Sequence, residues 1–256
     1  MVHTLTDMLA AFGLQQLILV WIVVVFAAVI RAFTGFGFAL AAVPAFSLLM
    51  APTQAVVLSV MLTLAVSLFT LKTFWGQLPL KPMMPMISFS LVGTMLGAGL
   101  LGGISAQSFQ LWIGLSVIAA CLLLTFYRPT HLAGGAVLGS VAGLLSGLMN
   151  GAFAIPGPPI VVYAVATQSD PDKTRALLMT FFLFSASFGL IAYAAAGYVS
   201  ASSLWLFLVS FPAMVLGDKL GYRLFQRHGT RLYRRVALVL LFSVGFMTIA
   251  RVLLAN

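Results

Sequence analysis

Acid is what this chain has least of. Its 256 residues include four acidic side chains, Asp7, Asp170, Asp172 and Asp218, and no glutamate. Charged residues of both signs make up 7% of the chain, against 62% apolar ones. A soluble domain carries about 25% charged residues, so this chain cannot cover a water-facing surface. It reads as an all-α polytopic membrane protein. Barrel strands alternate apolar and polar residues, and the continuous apolar runs here argue against a β-barrel. Cysteine is nearly absent too: Cys121 stands alone in LSVIAACLLL, which excludes an intrachain disulfide framework and a cysteine-cluster metal site. No constellation of His, Asp, Glu or Cys falls inside an apolar run. Acid–base and metal catalysis therefore lack their groups, and the expectation is a non-enzyme with no cofactor and no metal. All four acids lie in or beside the proposed loops. Asp170 and Asp172 read as caps of a helix beginning near Lys173, and Asp218 as the end of a span beside Lys219. On this reading a buried acidic relay has no residue available, and His131 and His228 sit in basic loops.

What the chain does have is apolar length. A span needs about 20 apolar residues, with a workable range of roughly 17–25. Candidate segments are 14–33, 36–50, 54–75, 83–101, 109–127, 133–149, 152–166, 175–196, 203–216 and 232–254. Trp75, Tyr127, Tyr198 and Trp205 fall near segment ends, where an interfacial aromatic belt lies. The net charge of +9 would suggest nucleic acid in a soluble protein. Here the positive residues sit in short loops beside spans, as topology signals do, and no nucleic-acid partner is expected. The amino terminus, MVHTLTDMLA, lacks a basic segment and does not read as a cleaved signal peptide.

Two stretches interrupt the apolar pattern at corresponding places: RAFTGFGFALAAVP, 31–44, and SGLMNGAFAIPGPP, 146–159. Lysine and arginine arbitrate between a break within one span and the turn of a hairpin. With each break inside a single span, the loops divide four positive residues against eight, and the two halves disagree about which side is inside. With hairpins, Arg31, Lys72, Lys81, Arg128, Lys173, Arg175 and the six from Lys219 to Arg235 share one face, leaving only Arg251 opposite. The positive-inside rule selects the hairpins. The chain then forms one transmembrane domain, 1–256, of two repeats of about five segments each, 14–127 and 132–254. Five is odd, so the repeats are inverted, a plan common among secondary transporters. MLGAGL (95–100) and VLGDKL (215–220) correspond late in each half. Both termini are expected on the periplasmic side. A reporter fused after Asn256 should therefore behave as periplasmic; a cytoplasmic signal there would overturn the five-plus-five arrangement.

In hydrocarbon, non-helical backbone survives only where protein or a wet cavity satisfies its polar groups. Thr34 to Gly37 and Asn150-Gly151 are the expected non-helical points, with helices following from Phe36 and Ala152. Such helix starts present free N–H groups and a positive dipole end, and glycine ahead of them makes a ready anion site. Inverted repeats would bring the two ends together near the midplane. The candidate substrate-binding residues are Gly35, Gly37 and Gly151 through backbone N–H groups, and Thr34, Asn150, Gln54 and Ser146 through side chains. Arg31 joins them, because a charge at membrane depth is costly and usually functional; alternatively the hairpin tip reaches the interface and Arg31 only anchors it. Gly139, Gly143, Gly147 and Gly151 recur every fourth residue, as do Gly93/Gly97 and Gly217/Gly221, a spacing that lets membrane helices pack closely. Pro44, Pro156, Pro158 and Pro159 read as helix-shaping. The basic run 219–235 reads as a topology signal in contact with anionic headgroups.

TGFGFALAAVP (34–44) and SGLMNGAFAIPGPP (146–159) resemble the paired signatures of the TauE/SafE sulfite exporter family, over nearly the whole chain. The resemblance implies a multi-pass carrier of the bacterial inner membrane, with members linked to sulfite, sulfonates, sulfoacetate and other small organic anions. Phe36, Phe38 and Ala152 stand where such members often carry further glycines, which leaves the particular anion open. The expectation is a secondary transporter of a small anion. An anion channel using the same pocket, and a membrane protein without transport activity, are the alternatives.

Overall fold

The computed structural model describes residues 13–34, 37–126, 134–168, 170–228, 242–243, 245–246 and 248–250. Among these residues there is no strand, and nine α-helices follow one another. They are α1 (Leu14–Thr34), α2 (Phe38–Ser47), α3 (Pro52–Phe69), α4 (Met84–Leu101), α5 (Ala106–Phe126), α6 (Ala136–Phe153), α7 (Gly157–Thr167), α8 (Pro171–Ala195) and α9 (Ala201–His228). Six of the described helices, α1, α3, α4, α6, α8 and α9, are long and apolar enough to cross a membrane, while the apolar parts of α2, α5 and α7 are shorter. The protein is a multi-pass, all-α membrane protein. Val24, Phe38, Phe46, Leu62 and Tyr193 are fully buried in the principal core. Ile22, Leu96, Val137 and Leu208 face outward, an apolar surface that suits lipid and not water.

Proline and aspartate mark the helix starts. Pro52 opens α3 after Ala51, where its missing N–H costs nothing. Asp170 caps α8 by accepting the Asp172 N–H at 2.9 Å, as its position in the sequence suggests.

The helices pair by glycine. Carbon added at Gly143, Gly147 or Gly151 of α6 would overlap the main chain of Met86, Ser90 or Thr94 on α4, and carbon at Gly93 or Gly97 would overlap Leu144 or Leu148 on α6. The α4–α6 pair is thus in backbone-to-backbone contact along its length. Gly217 and Gly221 bring α9 equally close to Val25 and Val29 of α1. Between hydrocarbon-embedded helices the gain comes from such packing, because lipid tails are as apolar as the side chains they replace. α3 and α8 lie against each other. Further along, Gly245 and Ile249 sit on Gly114 of α5.

The first two helices of each half lie side by side. The Gln16 side-chain amide donates to the Leu49 carbonyl at 2.7 Å, which places the start of α1 beside the end of α2. Before α6, Gly134 has Thr167, the last residue of α7, about 3.5 Å from where its Cβ would be.

Several helix ends differ from the sequence expectation; α3, for one, stops at Phe69 and not at Trp75. α6 runs through Asn150 and Gly151 to Phe153, and α7 begins at Gly157 instead of Ala152. Asn150-Gly151 raises no steric obstacle to a helix, whereas Pro156 disfavours helical backbone at the residue before it. Pro158 and Pro159 are tolerated only in a first turn. In the first half, α2 begins at Phe38 and not Phe36. Finally, α9 does not end near Leu216 but continues to His228, so Asp218 lies inside a helix.

Candidate functional site

The two interruptions meet at one cavity. Its walls are the first turn of α2 from Gly37 to Leu40, the break from Ala154 to Gly157 with Asn150 before it, Thr63 and Ser67 of α3, and Met179, Phe182 and Ala186 of α8. The enclosed volume is about 30 Å³, room for about one water molecule. Gly37 caps α2 with φ 97°, a left-handed conformation that glycine adopts without penalty. Hydrogen bonding within α2 starts with the Ala41 N–H on the Gly37 carbonyl at 3.1 Å. The N–H groups of Phe38, Ala39 and Leu40 therefore have no intrahelical acceptor, and these three residues line the cavity. α7 is not its equal, because Pro158 and Pro159 leave Gly157 as the one N–H donor among its first three residues. The start of α2 offers donors; the start of α7 contributes chiefly its dipole.

The opposite wall is held by a buried polar cluster. α6 closes on Ala154, at φ 56°, a left-handed conformation that costs a non-glycine residue about 1–2 kcal/mol. The Ala154 N–H donates to Asn150 O at 2.7 Å, and the Ile155 N–H to Met149 O at 3.4 Å. The Tyr193 hydroxyl, on α8, reaches the same helix end, its one proton shared between Asn150 O at 2.6 Å and Gly151 O at 3.0 Å. The Asn150 side-chain amide donates to Ser185 O at 2.8 Å and to Thr94 Oγ1 at 3.3 Å. Both of its N–H bonds are thus spent on tying α6 to α8 and α4, which makes Asn150 a positioning residue in this state. Tyr193→Phe removes one oxygen and takes from the Gly151 carbonyl its hydroxyl partner in a fully buried place, while Asn150 O keeps the Ala154 N–H. It is expected to destabilise the protein by about 1–3 kcal/mol, read as a lower unfolding temperature in detergent.

Arg31 stands where this cavity meets a second, larger one. The second cavity, about 590 Å³, is lined by Thr70, Thr73 and Gln77 beyond α3, Asp172 and Arg175 of α8, and Asp218 and Tyr222 of α9, together with Arg31. Arg31 Nη1 donates to Asp218 Oδ1 at 3.2 Å and Nη2 to Thr70 Oγ1 at 3.0 Å. The two charged side chains are 7% and 17% exposed, so Arg31 is a buried, paired charge. This corrects the expectation that no acid lies within the spans. Asp218 beside Lys219 looks like a loop in sequence, and its partner is 187 residues away.

The candidate residues divide accordingly. Arg31, Gly37 and Asn150 come together at the central cavity. Gly151 packs on Thr94 and gives its carbonyl to Tyr193. Gln54 and Ser146 line neither cavity; Gln54 is about 9 Å along the α3 axis from Val60. Gly35 and the side chain of Thr34 lie outside the described residues. Sequence reasoning missed Thr63, Ser67, Thr70, Tyr193 and Asp218. The Thr63 hydroxyl is buried at the cavity with no hydrogen-bond partner among the described residues. Hydroxyl residues in an apolar run are a weak signal, since most bond back to their own helix.

A model of the sulfite exporter TauE/SafE family matches residues 20–248. The chain belongs to this family. Membership makes it a membrane transporter of a family that carries sulfur anions. The matched span opens inside α1 and closes at residue 248, so it takes in both interruptions, Arg31 and Asp218. Comparison with curated proteins and with solved structures yields no match.

Proposed function

We propose that this TauE/SafE protein is a secondary transporter of the bacterial inner membrane for a small anion such as sulfite, a sulfonate or sulfoacetate. The observation that carries the reading is the cavity at which the start of α2, the Ala154–Gly157 break and Arg31 converge. Three N–H groups without an intrahelical acceptor, a helix dipole and a guanidinium suit an anion of two or three oxygens. Thr34 and Gly35, which precede Phe36 and Gly37 in the sequence, complete the α2 side of the site, and Asn150 and Gly151 hold the other.

The proposal includes two inverted repeats, each opened by a hairpin. The Gln16–Leu49 bond and the nearness of Gly134 to Thr167 support both hairpins. Crossed packing supports the repeat, since the fourth helix of each half rests on the first helix of the other, α4 on α6 and α9 on α1. The larger cavity lies on the side of Lys72 and Arg175, the cytoplasmic face by the positive-inside rule, which leaves both termini periplasmic. An anion enters from there, and the two interruptions part to admit it, because the inner cavity holds little more than a water.

Counterflow in proteoliposomes tests the reading. Labelled sulfite is expected to accumulate saturably against unlabelled sulfite inside. Gly37→Val, which strains the left-handed cap and fills the cavity, is expected to slow it at least tenfold, more than about 1.4 kcal/mol of barrier. Unsaturable flux with single-channel currents would make the protein a channel. No flux of sulfite or sulfonates would overturn the proposal.

A further inference from the structure

Asp218 makes no contact with the inner cavity, yet it is bonded to Arg31, which faces both cavities. We propose that Asp218 couples protons to the anion: it neutralises Arg31 while the site is empty, and takes up a proton when an anion displaces it. The inference rests on the anion reading above and adds the coupling ion.

The geometry is that of a displaceable partner. Arg31 divides its terminal nitrogens between one Asp218 oxygen at 3.2 Å and the Thr70 hydroxyl at 3.0 Å. The pair is not the two-bond fork that guanidinium and carboxylate make at their strongest. A sulfonate or sulfite presents several oxygens to the same fork, and so competes with Asp218 for it. Location determines where the displaced group is left. Arg31 lines both cavities, whereas Asp218 lines only the larger one. The displaced carboxylate therefore remains beside the space from which a proton arrives.

Charge balance supplies the reason. Arg31 with Asp218 is neutral. An anion added on Arg31 leaves two negative charges and one positive in a mostly buried neck, and uncompensated buried charge is strongly destabilising. A proton on the Asp218 carboxylate restores neutrality: anion plus proton plus the ion pair become the Arg31–anion pair plus a neutral carboxylic acid. Among the described residues, Asp218 is the acid bonded to Arg31, whereas Asp172, the other carboxylate at the larger cavity, makes no hydrogen bond to Arg31. The segment beyond α3 faces the cavity with uncharged Thr70, Thr73 and Gln77, and α8 with Asp172 and Arg175, whose charges are opposite. From α1 the charged group is Arg31 itself, from α9 the further titratable group is Tyr222, and Lys219 is exposed.

Binding calorimetry on the purified full-length protein tests the coupling, with methanesulfonate as the probe because it stays ionised throughout the working pH range. Runs in two buffers of different ionisation heat are expected to show uptake of about one proton per anion bound. The affinity should rise as pH falls, by up to about tenfold per pH unit. Asp218→Asn is expected to bind without proton uptake and with affinity independent of pH. Asp172→Asn, which alters the other acid of the larger cavity, should keep the uptake, and it separates the two acids even if Asp218→Asn does not fold. Wild-type binding without proton uptake would overturn the coupling and leave the anion reading standing. Undiminished uptake in Asp218→Asn, or its loss in Asp172→Asn, would remove Asp218 from the role. No binding of methanesulfonate or sulfite at any pH would instead overturn the anion reading itself.

Discussion

Arg31→Met is expected to abolish sulfite counterflow and to lower stability in detergent by about 3–5 kcal/mol. The stability loss arises less from the missing bonds than from what is left behind: the carboxyl group of Asp218, 17% exposed, loses its counter-ion in a mostly buried place. Asp218→Leu strands the arginine and should destabilise comparably. The double variant R31M/D218L removes both charges and fills the space with apolar side chains. Replacing a buried ion pair in that way is often neutral or stabilising, so the double variant should unfold close to the wild-type temperature. It should still fail to transport, because the guanidinium shared by both cavities is gone. Thermal unfolding of the three variants, beside counterflow of each, separates the two roles. A double variant that transports at the wild-type rate would take Arg31 out of the anion path.

Gly147→Val should be the most damaging substitution away from the cavity. A Cβ there lies 2.8 Å from the Cα and carbonyl carbon of Ser90 on the facing helix. The obstacle is main chain, so no rotamer relieves it, and α4 and α6 must separate. Overpacking costs about 1–3 kcal/mol in ordinary cores and occasionally more. Here the separation also undoes the contacts of Gly93, Gly97, Gly143 and Gly151 along the same seam. Little monodisperse protein should survive size-exclusion chromatography. Gly99→Ala on α4, where an added Cβ meets nothing within 4 Å, is the matched control and should behave as wild type. Equal behaviour of the two variants would mean that the seam is looser than the backbone contacts imply.

The coupling between helix end and ion pair gives the cavity its two sides. The α2 side is built from backbone: Gly37 supplies the turn, and Phe38, Ala39 and Leu40 supply donors. The α6 side is built from side chains that serve other helices: Tyr193 satisfies two carbonyls and Asn150 ties three helices together. A change at either side reaches the other through a space hardly larger than a water. Asn150 therefore matters here through where it holds α6, while the α2 side turns the backbone of its first turn to the cavity.

Much of this was legible in the sequence because it depends on local chemistry. The scarcity of charge and the lengths of the apolar runs determined the membrane class and the positions of α1, α4, α5 and α8 to within a few residues. The glycines and prolines of 31–44 and 146–159 marked both interruptions, and their motifs carried the family. The four-residue glycine spacing marked the faces along which α4 meets α6 and α9 meets α1. Only the tertiary structure decided that the second break falls at Ala154–Pro156, that Tyr193 closes it, and that Asp218 turns inward to Arg31. Hydropathy and turn propensity are read within a window of about one span, whereas Arg31 and Asp218 are 187 residues apart. What joins them is the close glycine packing of α9 on α1. A lone aspartate beside a lysine carries no mark of the arginine that packing will bring to it.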